Sequence, residues 1–159
     1  MTILSVDPGR KGALVALDED KGWFTHNLQY DNKKLNSYYF LSLLKFYKPS
    51  IIIIEKQTTY RRQSIKAGQT IMANYGRLIG LSEAWCKENH GEILTPSPIE
   101  WQKVIIPNVD KGETKKASIA RVQKKYPNIP LLATTRSRTP SDGIADAVNM
   151  IDWYLQTNK

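Results

Sequence analysis

The sequence predicts an α/β domain with a mixed five-stranded sheet. Three antiparallel strands come first, parallel strands follow, and helices cover both faces. Three observations carry this. Three apolar segments follow one another between residues 2 and 30, joined by links too short to hold a helix. Four consecutive isoleucines, Ile51 to Ile54, make an unalternated β-branched run that suits a central strand buried on both faces. The rest of the chain alternates helical patterns with short strands, which calls for crossover connections and parallel pairing.

Taken in order, Thr2 to Asp7 reads as a strand ended by Pro8-Gly9, and Gly12 to Leu17 as a second. After a charged turn, Trp23 to Tyr30 is a weakly alternating third. Asn32 to Tyr47 has helical spacing, with Leu35, Tyr39, Leu43 and Phe46 on one face, and Pro49 ends it. The fourth strand, Ser50 to Glu55, lies parallel beside the first if its crossover is right-handed. Gln63 to Glu88 reads as a long helix carrying Gly68, Gly76 and Gly80 near one stripe. Ile93 to Thr95 is a short strand and Pro98 to Val104 a short helix with Ser97 as its cap. Thr114 to Tyr126 is a basic helix, Ile129 to Pro140 a loop, and Ser141 to Tyr154 the last helix, opening on Ser141 or Asp142.

The 159 residues fit a single domain spanning 1–159, and at 41% hydrophobic there is enough apolar material for an ordinary core. That excludes a disordered chain. No apolar run approaches the roughly 20 residues of a membrane span. The first residues lack a basic, signal-like region. The one cysteine, Cys86, has no internal partner. The expectation is a cytoplasmic protein in a reducing compartment, with no membrane partner.

The net charge of +8 is segregated. Residues 56–82 hold five basic side chains and no acid; residues 111–138 hold eight basic side chains and one acid, leaving the remainder net negative. Such segregation fits a polyanion-binding surface, and also fits solvated helix faces.

The acids are placed more tellingly. Asp7 ends the first strand and Glu55 the isoleucine strand, so parallel neighbours would release both at one sheet edge. Asp142 and Asp146 are four apart and share a helix face. Clustered carboxylates repel unless a cation joins them, and hard oxygens suit Mg2+ or Mn2+. Two such ions per site would activate water and stabilise a leaving 3′-oxygen in phosphodiester hydrolysis. Each acid also has a plainer reading: Asp7 a turn residue, Glu55 a paired buried acid, Asp142 a helix cap, Asp146 a buried helix residue.

The set Ile3-Leu4-Ser5-Val6-Asp7-Pro8-Gly9, Gly12, Ile52-Ile53-Ile54-Glu55 and Asp142-Gly143-Ile144-Ala145-Asp146-Ala147 resembles the RuvC-like Holliday-junction resolvases of the RNase H-like superfamily, in particular their short phage-type members. The Gly-bearing helix, Thr95-Pro96-Ser97 to Trp101, and Lys115-Lys116-Ala117-Ser118 support it, and the resemblance covers nearly the whole chain. It implies an RNase H-like fold and a metal-dependent endonuclease, a crossover junction endodeoxyribonuclease. It also implies a homodimer that cuts four-way branched DNA at two strands, in a bacterial or phage-infected cell. Asp7, Glu55, Asp142 and Asp146 become the metal-binding acids, with Lys115 beside the scissile phosphate. Many bacterial members carry the other helix acid three residues before the last; Gly143 stands there, and Asp142 is one residue earlier.

On this reading Lys116, Arg61, Arg62, Lys66, Arg136 and Arg138 contact DNA, and Tyr60 stacks on an opened base or is a surface tyrosine. The Gly-bearing helix lies at the dimer interface or packs on its own sheet. Trp101 and Trp153 read as core; His26 and His90 as packing or surface residues. Other substrates (flaps, forks, RNA–DNA hybrids) remain open, as does an actin-like nucleotide-binding module using the turn from Asp7 to Gly12.

Overall fold

The fold comes from a computed structural model that describes residues 1–9, 12–58, 64–110 and 112–158. Strand β1 (Thr2–Asp7) pairs antiparallel with β2 (Ala13–Asp18), and β2 with β3 (Gly22–Asn27). The meander turns tightly at Gly12, whose N–H donates to the Gly9 carbonyl at 2.8 Å. A Cβ at Gly12 would collide with the carbonyl oxygens of Asp7 and Gly9, so only glycine closes this turn.

The third strand and first helix differ from expectation. The chain leaves the sheet at Asn27 and forms a small ribbon, β4 (Tyr30–Asp31) with β5 (Lys34–Leu35). Asn32 and Lys33 sit between them at φ 48° and 67°. Two left-handed residues make the two-residue turn of a hairpin and exclude an α-helix through this point. Helix α1 (Ser37–Tyr47) therefore starts later, capped by the Asn36 side chain accepting from the Tyr39 N–H. Its buried face is Phe40, Leu43 and Leu44; Leu35 lies on β5, and Phe46 is 76% exposed.

Strand β6 (Ile51–Ile54) pairs parallel with β1, joining Val6 to Ile54, and β7 (Glu92–Leu94) pairs parallel with β6. The sheet order is β3-β2-β1-β6-β7. Helix α2 (Ile65–Asn89) links β6 to β7, and α3 (Pro98–Ile105), α4 (Thr114–Lys125) and α5 (Asp142–Thr157) follow. This is a mixed α/β sheet with helices on both faces.

The period-two alternation of the strands divides the core. Leu4, Val6, Leu14, Ile52 and Ile54 face α1 and α2, where Phe40, Leu44 and Leu78 meet them. Ile3, Ala13, Val15, Ile51 and Ile53 face the other layer, with Trp101, Val122, Ile144 and Val148. The isoleucine run feeds both cores alternately, which is why it lacks a polar face. Trp153 packs against the edge of the second layer. On α2, Gly68 is buried, but a Cβ at Gly76 or Gly80 would meet nothing within 4 Å. That stretch of the glycine stripe faces outward rather than packing on its own sheet. Among the described residues, no helix is long and apolar enough to cross a membrane.

Candidate active site

Strand alternation also aims the first two acids. Asp7 follows Val6 and Glu55 follows Ile54; both preceding residues face α1 and α2, so both acids turn to the α3–α5 layer. Because Val6 and Ile54 are register partners, the acids emerge side by side. The Glu55 N–H extends the pairing by donating to the Val6 carbonyl at 3.0 Å. Helix α5 crosses above, its N-terminus capped by Ser141, whose hydroxyl accepts from the Ile144 N–H. Asp142 is thus not the cap but the first helical residue. With Asp146 one turn later, it lines the same cleft, of about 540 Å3, as Asp7, Glu55 and Lys115. Gly9, Lys56, Gln57, Thr58 and Pro98 complete the lining.

Each acid has a distinct environment. Asp7 Oδ1 accepts from the Gly9 N–H at 3.0 Å, but burial raises its carboxyl above the usual range, and Asp142 adds to this. Glu55 is pushed up to about 7 by burial and by the charge of Asp7, against the Trp101 indole N–H, which donates to its Oε1 at 2.9 Å. Asp146 is pushed up to about 8 by burial, with Asp7, Glu55 and Asp142 adding to it, while the Ser118 hydroxyl donates to its Oδ1 and opposes the rise. Asp142 is the exception. Its partial burial disfavours charge, but the bond and charge of Lys115 hold its carboxyl below the usual range. The Tyr30 hydroxyl, donating to the Gly9 carbonyl at 3.0 Å, is raised to about 12 by burial and the nearby Asp7.

Glu55 is buried and Asp7 and Asp146 half-buried; none of them forms an ion pair among the described residues, and together they disfavour ionisation. The donor set is all oxygen and fits a hard divalent cation better than a soft one. Among the described residues no trio of His, Cys, Asp or Glu is drawn in tightly enough to enclose an ion as the side chains stand. As they stand, Asp142 is engaged by Lys115, Asp146 by Ser118 and Asp7 by its own turn.

The basic candidates disperse. Lys115 stands at the cleft with its side chain 74% exposed. Lys116, on the next position of α4, pairs with Glu113 and points elsewhere. Lys66 is exposed in the first turn of α2, and Arg136 and Arg138 are exposed in the loop before α5. Tyr60, Arg61 and Arg62 lie outside the described residues, as do Arg10 and Lys11. His26 is a packing residue, its Nε2 2.6 Å from the Tyr47 hydroxyl, and His90 ends α2 in a left-handed conformation.

Sequence reasoning missed a polar ladder between α4 and α5. Lys115 pairs with Asp142, Ser118 with Asp146 and Asn149, Arg121 with Asn149 and Asp152, and Lys125 with Asp152. Each step along α4 meets a step along α5, so the helices run in the same direction. Asp152 is almost fully buried; Lys125 and Arg121 hold its carboxyl below the usual range despite that burial. The signal was present: Asp142, Asp146, Asn149 and Asp152 recur at three- and four-residue spacing in an otherwise apolar helix.

No protein-family model matches the sequence, and no curated protein sequence matches it. Solved structures do match. The chain is similar to RuvC of Thermus thermophilus in complex with a Holliday junction substrate, with a TM-score of 0.62 at 14% identity over 99% of this chain and 96% of that one. A second Thermus thermophilus RuvC structure gives 0.59 at 14% identity, covering 99% and 97%. The yeast mitochondrial Holliday junction resolvase Ydc2 gives 0.53 at 17% identity, covering 98% and 80%. At these identities the likeness establishes the fold.

Proposed function

We propose that this chain is a divalent-cation-dependent endonuclease that resolves four-way DNA junctions by paired nicks from a homodimer. The observation that carries the reading is the convergence of Asp7, Glu55 and Asp146 in one cleft at the carboxyl end of a parallel strand pair, on a fold shared with Holliday-junction resolvases.

Asp7, Glu55 and Asp146 would hold Mg2+ or Mn2+, with Asp142 joining them when Lys115 turns to substrate. Such cations, when bound, supply Lewis acidity that activates water and stabilises the leaving oxygen. The chain's own groups do the rest. Lys115, tethered at the rim by Asp142, offers its ammonium to the phosphate under attack. The Gly9 N–H holds Asp7 Oδ1 at 3.0 Å beside the cleft, next to the close approach that Gly12 allows. Lys66, Arg136 and Arg138 are exposed cations suited to phosphates along the arms, and Arg61, Arg62 and Lys116 belong to the same set in sequence. Tyr60 remains a candidate stacking residue. The outward face of α2, with Gly76, Gly80, the 40% exposed Met72 and the 82% exposed Ile65, is the surface along which two copies meet.

The test is cleavage of a synthetic four-way junction with Mg2+, with EDTA, and by Asp7→Asn. The wild type should nick symmetrically with Mg2+ only. The variant should bind the junction and leave it intact. Normal cutting by Asp7→Asn would reject the assignment. Competition against a fork, a flap and an RNA–DNA hybrid sets the substrate preference.

A further inference from the structure

The ladder between α4 and α5 ends at the acid cluster, and its hydrogen-bond directions are forced. Arg121 has donors only. Its Nη1 lies 2.6 Å from Asn149 Oδ1, so that atom is the amide oxygen and the other side of the amide is the NH2. The NH2 donates to the Ser118 hydroxyl at 2.9 Å and to the Ser118 carbonyl at 3.2 Å. A serine hydroxyl carries one proton. Its oxygen is already accepting from Asn149, so once Asp146 is ionised, as a bound cation requires, the proton is left for Asp146 Oδ1. Ser118 and Asn149 are wholly buried, which leaves little room for water to offer another arrangement. Arg121 is itself anchored by Asp152, which Lys125 holds at 2.7 and 2.8 Å and the Tyr126 hydroxyl at 3.1 Å.

We propose that Ser118, its proton aimed by Asn149 and Arg121, is a positioning residue for Asp146: it fixes Oδ1 and leaves Oδ2 as the oxygen offered to a divalent cation. This deepens, and rests on, the reading of the cleft as a cation-dependent nuclease site. It separates two jobs that a helix–helix ladder can do. Joining α4 to α5 would make the ladder a matter of stability alone. Setting the orientation of a cation-binding carboxylate makes it a matter of affinity in the folded protein. Partners that orient a ligand side chain commonly change metal affinity or activity by about 10- to 100-fold when removed.

The experiment titrates Mn2+ alone into the DNA-free full-length protein by calorimetry, for wild type, Ser118→Ala and Asn149→Asp, with thermal unfolding alongside. Asn149→Asp keeps the shape but replaces the donor with an acceptor, so the Ser118 proton turns away from Asp146 although Ser118 remains. Both variants should bind Mn2+ about 10- to 100-fold more weakly while still unfolding cooperatively. Both should lower kcat for junction cleavage with KM little changed. Wild-type Mn2+ affinity in Ser118→Ala overturns the proposal; weakened binding there with none in Asn149→Asp overturns the aiming by Asn149 and Arg121. If neither variant folds, neutron diffraction of wild-type crystals decides. A deuteron bonded to Ser118 Oγ and directed at Asp146 Oδ1 supports the proposal, and one bonded to Asp146 itself, or to Ser118 Oγ but directed away from Asp146, overturns it. A wild type that binds Mn2+ but cuts no junction defeats the nuclease reading alone, and the Mn2+ titrations still decide this one.

Discussion

The indole N–H of Trp101 donates to Oε1 of Glu55 across 2.9 Å, and both side chains are buried. A tryptophan nitrogen can only donate, so this bond favours the ionised carboxylate and opposes the burial that pushes Glu55 up to about 7. Trp101 is therefore more than the core residue that its apolar setting in the sequence predicts.

Replacing it should reach the chemistry as well as the packing. Trp101→Phe keeps an aromatic ring but removes the donor. The lost charge-assisted bond costs about 1.5–3 kcal/mol, and the Glu55 carboxyl rises further. Cleavage near pH 7 should drop about 10-fold or more, and the acidic limb of the pH–rate profile should move to higher pH. A drop in Tm with an unmoved profile would show that the ring matters only for packing.

Stability should depend on pH in an unusual direction. Glu55 at about 7 and Asp146 at about 8 both lie above the ordinary carboxylate value. Between that value and their own, the folded protein keeps protons that the unfolded chain has already released, so stability falls as pH rises. The penalty is absent below roughly pH 4 and complete above about 8. His26 acts oppositely below its ordinary value of 6.5, because burial lowers its imidazole. The clean window is thus from 6.5 to about 8. With EDTA, Tm should fall across it; Asp146→Asn should flatten the fall, and saturating Mg2+ should offset it by binding the folded form. A wild type whose Tm holds level in EDTA would contradict the buried-acid picture.

Lys115 should act on the reaction more than on binding. Lys115→Ala leaves the rest of the basic surface in place. Single-turnover cleavage should slow about 100-fold, the size of losing one donor to a developing charge, while junction affinity changes little. Its salt slope should fall by about one phosphate contact. Loss of affinity without loss of rate would make Lys115 an ordinary backbone contact.

The outward face of α2 gives a clean dimer test. Gly80→Glu meets no neighbouring atom within the protomer and replaces a poor helix former, so the protomer should gain up to about 1 kcal/mol. If two copies pack there, the same change inserts bulk and like charge between them. Sedimentation should then report half the mass, and junction nicks should become uncoupled. An unchanged mass would place the dimer contact elsewhere.

Much of the sheet and the acid cluster is legible in the sequence because strand alternation and strand ends leave local marks. Asp7 and Glu55 each terminate an apolar run, and the parallel register does the rest. The ribbon between Tyr30 and Leu35 was not legible, because Asn32-Lys33 is a turn only when both residues take left-handed φ, and the helical spacing beyond it ran back across the turn. The misplaced face of α1 follows from that. The ladder was hidden differently: Ser118, Arg121 and Lys125 read as a solvated basic face until a second helix with matching acids is laid against them.

Ile51 to Ile54 offer neighbours four identical side chains, and identical side chains cannot tell one alignment from another two steps away. The strand is registered at its ends instead. The Ser50 N–H donates to the Thr2 carbonyl at 3.0 Å, and past the last isoleucine Glu55 is hooked by Trp101 and Lys56 donates to Pro96 at 2.8 Å. The oily middle supplies the glue, and the polar bookends supply the address. A change that weakened either bookend would leave the strand equally greasy but free to slide, carrying Glu55 out of reach of Asp7.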